Sequence, residues 1–295
     1  MAALMTGVAF ALVIGSAFFH ATWNFLLKSS DHKVAFLWLI GLVGFAALII
    51  PAVVVGVVQG IGTTGLAYGG VSSVLHGLYG IALSRSYHLG DLSKVYPIAR
   101  GMGPVIVPLA AVAFLSEDIS IVAGVGIALV VFGIYAIHLE SGLLSDMRSP
   151  LKLLTRPDTR IAFVTGLLIA TYSVWDKAAL DHLSPVTLNA FTLVGWGVIL
   201  APLALRSGGV NDVRHEWRTR GRSVVAAGII APLGYLMVLA ALTTSQISYV
   251  APAREVGIVL GAAMGVMLLG EGFGASRIAG ASFIVAGVMT LALAP

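Results

Sequence analysis

Apolar residues run along this chain in long blocks broken by short polar stretches, and it is the length of the blocks that sets the expected structure. A helix crossing the hydrocarbon core of a bilayer needs about 20 mostly apolar residues. Ten blocks of that kind are bounded by charges or by Gly and Pro clusters: 4–27, 34–58, 65–86, 93–115, 119–139, 161–180, 186–206, 222–243, 248–270 and 275–294. Two connections are long, 140–160 and 206–222, and the first divides the chain into five helices and five. The expectation is an all-α membrane protein of ten transmembrane helices with no separate soluble domain.

Composition agrees with that pattern. Of 295 residues, 58% are hydrophobic and 10% charged, against about 25% charged in soluble domains, and the mean hydropathy is +0.99. With no cysteine, neither a disulfide framework nor a thiolate metal site is available. The first block lacks a basic leader and nine more follow it, so it reads as a mature helix and not as a signal peptide. Net charge is +4, but the basic residues sit in short loops between blocks, which argues against nucleic-acid binding.

Those loop charges carry an orientation. Lys28 and Lys33, Arg85 and Lys94, Arg148, Lys152, Arg156 and Arg160, Arg206, Arg214, Arg218, Arg220 and Arg222, and Arg277 all fall in odd-numbered loops, and the even-numbered loops hold no basic residue. By the positive-inside tendency the odd loops are cytoplasmic and both termini lie outside the cytoplasm. The membrane expected is the plasma membrane, the inner one in a bacterium.

The two halves resemble each other. His20, Trp23 and Asn24 stand at i, i+3 and i+4 in the first helix, and Tyr172, Trp175 and Asp176 repeat that spacing in the sixth. Pro97 and Arg100 open a segment that reaches Glu117; Pro252 and Arg254 open another that reaches Glu271. Gly126 and Gly133 match Gly280 and Gly287 at the same separation as Arg100 and Arg254. Coincidences at nearly one offset argue for duplication, with a first unit over 1–145 and a second over 146–295. Five is odd, so the second unit re-enters the membrane upside down, around a central cavity. The charges agree: loop 2–3 is uncharged, whereas its counterpart, loop 7–8, carries five arginines.

On these residues the chain resembles the drug/metabolite transporter superfamily, and within it the EamA-type ten-helix exporters. The resemblance rests on the Trp23 and Trp175 positions, on Tyr96-Pro97 with its mate Ala251-Pro252, and on Gly270-Glu271. In overall look it is closest to bacterial exporters of aromatic and other neutral amino acids, which implies export of such metabolites. The chain departs from the small multidrug members in lacking a first-helix glutamate.

Polar groups inside a bilayer are costly and usually face a cavity or a partner, so they define the candidate site. His20, Trp23 and Asn24 share one face of the first helix, and Tyr172, Trp175 and Asp176 the matching face of the sixth. Together they would line one cavity, although Trp23 and Trp175 could equally be interfacial anchors. Asp176 would be the committed charge and Lys177 would snorkel. His76 and Tyr79 on the third helix and Tyr235 on the eighth are further candidates. Pro97, Pro104 and Pro108 with Gly101 and Gly103 are expected to make the fourth helix irregular. There Tyr96 and Arg100, with Arg254 in the ninth, would meet a substrate carboxylate, unless the adjacent Glu255 neutralises Arg254. Gly257, Gly261 and Gly265 form a small-residue stripe suited to close packing.

These features point to a secondary transporter working by alternating access on a small-molecule substrate such as an amino acid. Besides the lipid bilayer no partner is required, and no cofactor or metal is expected. No phosphate-binding loop is present, and a monomer is the expected state, a homodimer through helices five and ten being the alternative. An intramembrane lipid- or peptide-modifying enzyme using His20, His76 and Asp176 is the competing class. No known catalytic spacing supports it. A channel would show a filter loop or a ring of one charge type, and neither is evident.

Overall fold

A computed structural model describes residues 5–89, 92–137, 157–269 and 274–294. Its helices are α1 (Gly7–Lys28), α2 (Lys33–Gln59), α3 (Thr63–Leu89), α4 (Leu92–Leu115), α5 (Ile121–Ile137), α6 (Pro157–Ala179), α7 (Pro185–Ser207), α8 (Gly209–Leu242), α9 (Ile247–Ala253), α10 (Val256–Leu269) and α11 (Ala275–Leu293). There is no strand among the described residues. Short α9 and α10 are two halves of one interrupted crossing, so ten crossings stand where ten blocks predict them. The expected unit boundary after residue 145 lies outside the described residues.

Local signals explain several ends. Thr6 accepts from the Ala9 amide and caps α1. Ser184 accepts from the Thr187 amide to cap α7, with Pro185 next to it where a missing N–H costs nothing. α2 stops at Gly60, whose φ of +74° few other residues adopt. Among the described residues, seven spans are apolar and long enough to cross a membrane. α6 is long enough at 23 residues but carries charge near both ends, at Arg160 and at Asp176 with Lys177.

Two expectations about helix continuity are corrected. The connection 206–222 is not a loop: α8 starts at Gly209, and only Arg220, at φ −128° and ψ 21°, breaks its helical geometry. The extra turns are held by the loop between α1 and α2. Glu216, fully buried, accepts from the Asp31 amide at 2.8 Å and the His32 amide at 2.6 Å. Asp31 meets His215 at 3.4 Å and Arg220 at 3.5 Å, and their hydrogen bonds hold its carboxyl below the usual range. The prolines of the fourth helix, in turn, leave α4 continuous from Leu92 to Leu115. The break falls instead in the ninth crossing, at Arg254 and Glu255.

Packing follows a two-fold exchange of halves. α1 lies on α8 as α6 lies on α3; α2 lies on α8 as α7 lies on α3; α4 lies on α6 as the interrupted crossing lies on α1. The pairs α2–α7, α4–α9 and α5–α11 each join a helix to its own counterpart. In the last pair the matched glycines meet. A Cβ on Gly133 would stand 2.6 Å from the Gly280 carbonyl oxygen, and one on Gly287 would stand 2.6 Å from that of Gly126. The expected close contact within one chain is therefore formed. The stripe in the ninth crossing is not: Gly257 faces Ala17, but a Cβ on Gly261 would meet nothing within 4 Å, and the Gly265 side lies outside the described residues.

Apolar packing fills two large regions and a small one of Ala179, Leu183, Leu188 and Leu239. One gathers Val13, Val107, Val130, Ile134, Val250, Ile284 and their neighbours at the α4, α5, α9 and α11 side. The other gathers Leu27, Phe36, Leu37, Leu200 and Val224 around α2, α7 and α8. Large apolar side chains such as Ile50, Val57, Val58, Leu109, Phe114 and Ile121 face outward, as they should in a hydrocarbon solvent. Beside the second region a space remains open, walled in part by its own Trp23, Ile40, Tyr79 and Tyr172.

Candidate functional site

That space is a cavity with about 680 Å³ of empty volume, mouth included. α1 supplies Ser16, His20 and Trp23; α3 supplies His76 and Tyr79; α6 supplies Tyr172; α8 supplies Tyr235. Arg254 reaches in from the break between α9 and α10. The approach of α8 to α1 depends on Gly234, where a Cβ would stand 3.1 Å from Phe19 Cβ. Proline at 232 is tolerated in α8, and its carbonyl accepts from Asn189 Nδ2 at 2.7 Å.

The aromatic part of the wall is interlocked. Trp23 and Trp196 pack edge to face at 6.4 Å between ring centres, Tyr79 lies 6.3 Å from Trp196, and Tyr172 lies 5.4 Å from Tyr79. The His76 ring sits 4.1 Å from Tyr172 and 5.2 Å from Tyr235. Edge-to-face packing of this kind fixes ring orientation as well as burying area. The result is a flat-sided slot with polar edges.

Behind His76 lies the acid that the sequence singles out. Asp176 has no exposed surface. It accepts from Ser72 Oγ at 2.6 Å, meets His76 Nε2 at 2.8 Å, and accepts a short hydrogen bond from the Tyr235 hydroxyl. Its charge is satisfied by three groups from α3 and α8, so it orients His76 and Tyr235 and does not itself face the cavity.

A second polar chain crosses from α1 to the break. Trp23 Nε1 donates toward His20 Nδ1 at 3.2 Å, and Arg100 Nη1 lies 3.4 Å from His20 Nε2. Arg100 then grips Glu255, with Nε at 3.1 Å and Nη2 at 3.0 Å from Oε2. Both partners are buried, at 7% and 6% exposure. The sequence expectation that Glu255 neutralises its neighbour Arg254 is thus corrected. On a helix end adjacent side chains diverge, and Glu255 turns to α4.

The predicted site residues therefore separate. His20, Trp23, His76, Tyr79, Tyr172, Tyr235 and Arg254 line the cavity. Asn24 does not; its Nδ2 donates to the His20 carbonyl within α1. Trp175 does not; its Nε1 donates to the Tyr68 carbonyl at 3.0 Å and its ring packs on Tyr68. Asp176 and Arg100 stand one layer behind the wall, and the Tyr96 side chain lies outside the described residues. Lys177 reaches the Leu242 and Ser245 carbonyls at 2.6 and 3.2 Å, closing the end of α8. His20, His76 and Asp176, needed together by an intramembrane enzyme, are divided between the two polar groups.

Two helices absent from the expected seam complete the cavity: α2 with Ile40 and Gly41, and α7 with Asn189, Thr192, Leu193 and Trp196. Among the described residues, α4, expected to line it, supplies none of the wall. The spacing of Asn189, Thr192 and Trp196 at i, i+3 and i+7 on one helical face is a signal that could have found α7.

Comparison with known proteins agrees with this architecture. The sequence profile of the EamA-like transporter family matches residues 160–293. A protein of known crystal structure shares the fold at a TM-score of 0.74 over 97% of both chains, with 15% sequence identity. No curated protein matches the sequence.

Proposed function

We propose that this member of the EamA-like transporter family, a membrane transporter of small solutes, exports small metabolites, foremost aromatic and other neutral amino acids, by alternating access. The observation that carries the reading is the aromatic wall of Trp23, Tyr79, Tyr172, Trp196 and Tyr235 around one central cavity. Flat π faces with hydroxyl and indole edges suit a planar apolar body carrying a polar end. The moving bodies are the two units, 1–145 and 146–295, rocking about the cavity between them. Their paired packing supports this, as do their matched residues.

Transport of this kind requires no cofactor. One copy of the chain is the working unit, because the glycine faces of α5 and α11 are spent on each other. Labelled phenylalanine should enter liposomes carrying the purified protein faster than protein-free liposomes. Trp196→Ala, which removes the ring joining Trp23 to Tyr79, should slow that entry roughly tenfold, the effect of about 1.4 kcal/mol. Flux no greater than in empty liposomes across a panel of amino acids would overturn the reading.

The charge bias of the loops places the odd-numbered connections in the cytoplasm and both termini outside it, in the plasma membrane. A reporter that is active only in the cytoplasm, fused after Pro295, should stay silent. Activity there would invert the orientation.

A further inference from the structure

The cavity contains a cation that stands outside any ion pair among the described residues. Arg254 lines it from the break in the ninth crossing, and among the described residues no carboxylate stands within ion-pair distance of its guanidinium. The two acids that could serve are engaged elsewhere: Glu255 is held by both Nε and Nη2 of Arg100, and Asp176 is enclosed by Ser72, His76 and Tyr235. With Arg100 and Glu255 cancelling, this side of the cavity carries one net positive charge. A half-buried guanidinium at a bundle cavity, outside any ion pair, favours an opposite charge joining it.

The neighbouring imidazole points the same way. His20 lies between Trp23 Nε1 on its Nδ1 side and Arg100 Nη1 on its Nε2 side. Indole and guanidinium nitrogens only donate, and an imidazole has at most one acceptor nitrogen in either protonation state. One ring nitrogen therefore cannot accept from the donor it faces. The Trp23 contact is the shorter, 3.2 Å against 3.4 Å, which assigns acceptance to Nδ1 and an N–H to Nε2. His20 Nε2–H and Arg100 are then two donors facing each other, and His20, which lines the cavity, would gain from an acceptor atom of a ligand.

Nothing comparable awaits a ligand's cation. The remaining polar groups of the wall are neutral: the Asn189 amide, the Thr192 and Ser16 hydroxyls and the tyrosine phenols. We infer that the cavity recognises its ligand by one anionic group, a carboxylate seated on Arg254 beside His20, with the apolar or aromatic body in the slot. An amino group on the ligand is dispensable. This names the substrate class of the proposed transport site and rests on that reading only for its physiological meaning.

Three probes that share one body separate the charges: phenylalanine, 3-phenylpropionate and 2-phenylethylamine. Each is titrated into the purified protein while indole fluorescence, to which Trp23 and Trp196 contribute, and the melting temperature are followed. Phenylalanine and 3-phenylpropionate should both quench and stabilise, and 2-phenylethylamine should do neither at the same concentrations. Arg254→Gln should weaken the two carboxylates by about tenfold or more, the worth of a charge-assisted hydrogen bond, and Arg254→Lys should retain part of the affinity. The inference is overturned if 2-phenylethylamine binds as well as 3-phenylpropionate, if none of the three binds, or if Arg254→Gln binds 3-phenylpropionate like the parent. Liposome flux is read separately. Carboxylate-selective binding without any flux would sink the transport reading and leave this inference standing; phenylalanine flux blocked equally by the amine and the acid would do the reverse.

Discussion

Glu255→Gln is expected to destabilise the folded protein by about 3–5 kcal/mol, the cost of stranding one partner of a buried ion pair. Arg100 would keep its charge inside the bundle with Trp23-bound His20 on one side and Arg254 beyond, and none of these can accept for it. A neutral amide at 255 still offers one oxygen but no charge. The double replacement Arg100→Gln with Glu255→Gln should recover a large part of the loss, because two neutral amides can bond to each other and leave no unbalanced charge at the pair. Melting of the parent, both single variants and the double variant in one detergent closes the cycle. A double variant no more stable than the worse single one would mean that the pair is not the source of the effect.

Glu117→Gln should cost about 2–3 kcal/mol for a different reason. The Glu117 carboxylate, 7% exposed, accepts from the Ile247 amide and the Ser248 amide at 2.9 Å each, and from Ser248 Oγ at 2.6 Å. It thereby closes the first turn of α9, whose amide groups have no partner within the helix. Glutamine has one acceptor, and its NH₂ must face either the Ile247 N–H or the Ser248 N–H. A hydroxyl could turn to accept from it; a backbone amide cannot. The charge-assisted bond is worth about 1.5–3 kcal/mol, and a stranded buried donor adds to the cost. Amide hydrogen exchange should accelerate in 247–253 and leave α5 and α11 unchanged. Equal exchange in parent and variant would show that α9 is held by its apolar contacts alone.

The sequence made the number of crossings and their near-repeat readable, because both depend on run length and matched spacing. It misled where one residue type has two uses. Prolines at 104 and 108 suggested a broken fourth helix, yet proline in a bundle needs only a neighbouring group to satisfy the freed backbone, and α4 stays whole. Arg254-Glu255 carried no such warning and is where the helix stops. The repeat misled in another way: Trp23 and Trp175 match in position, but the cavity lies off the two-fold relation, so only Trp23 reaches it. Asp176 drew notice through its charge and proves to be the support of His76 and Tyr235. Trp196 and Asn189 escaped because α7 shows no charge and no proline signal on its inner half.

The Gly126–Gly287 and Gly133–Gly280 contacts bear on how the molecule can move. Backbone lies against backbone there, flanked by Val130, Ile137, Ile284 and Leu291 and by the Phe132–Phe283 ring pair, so pulling α5 and α11 apart would open a void along the whole seam. In the rocking motion proposed above, this junction would serve as the hinge pin, with the smallest displacement beside it.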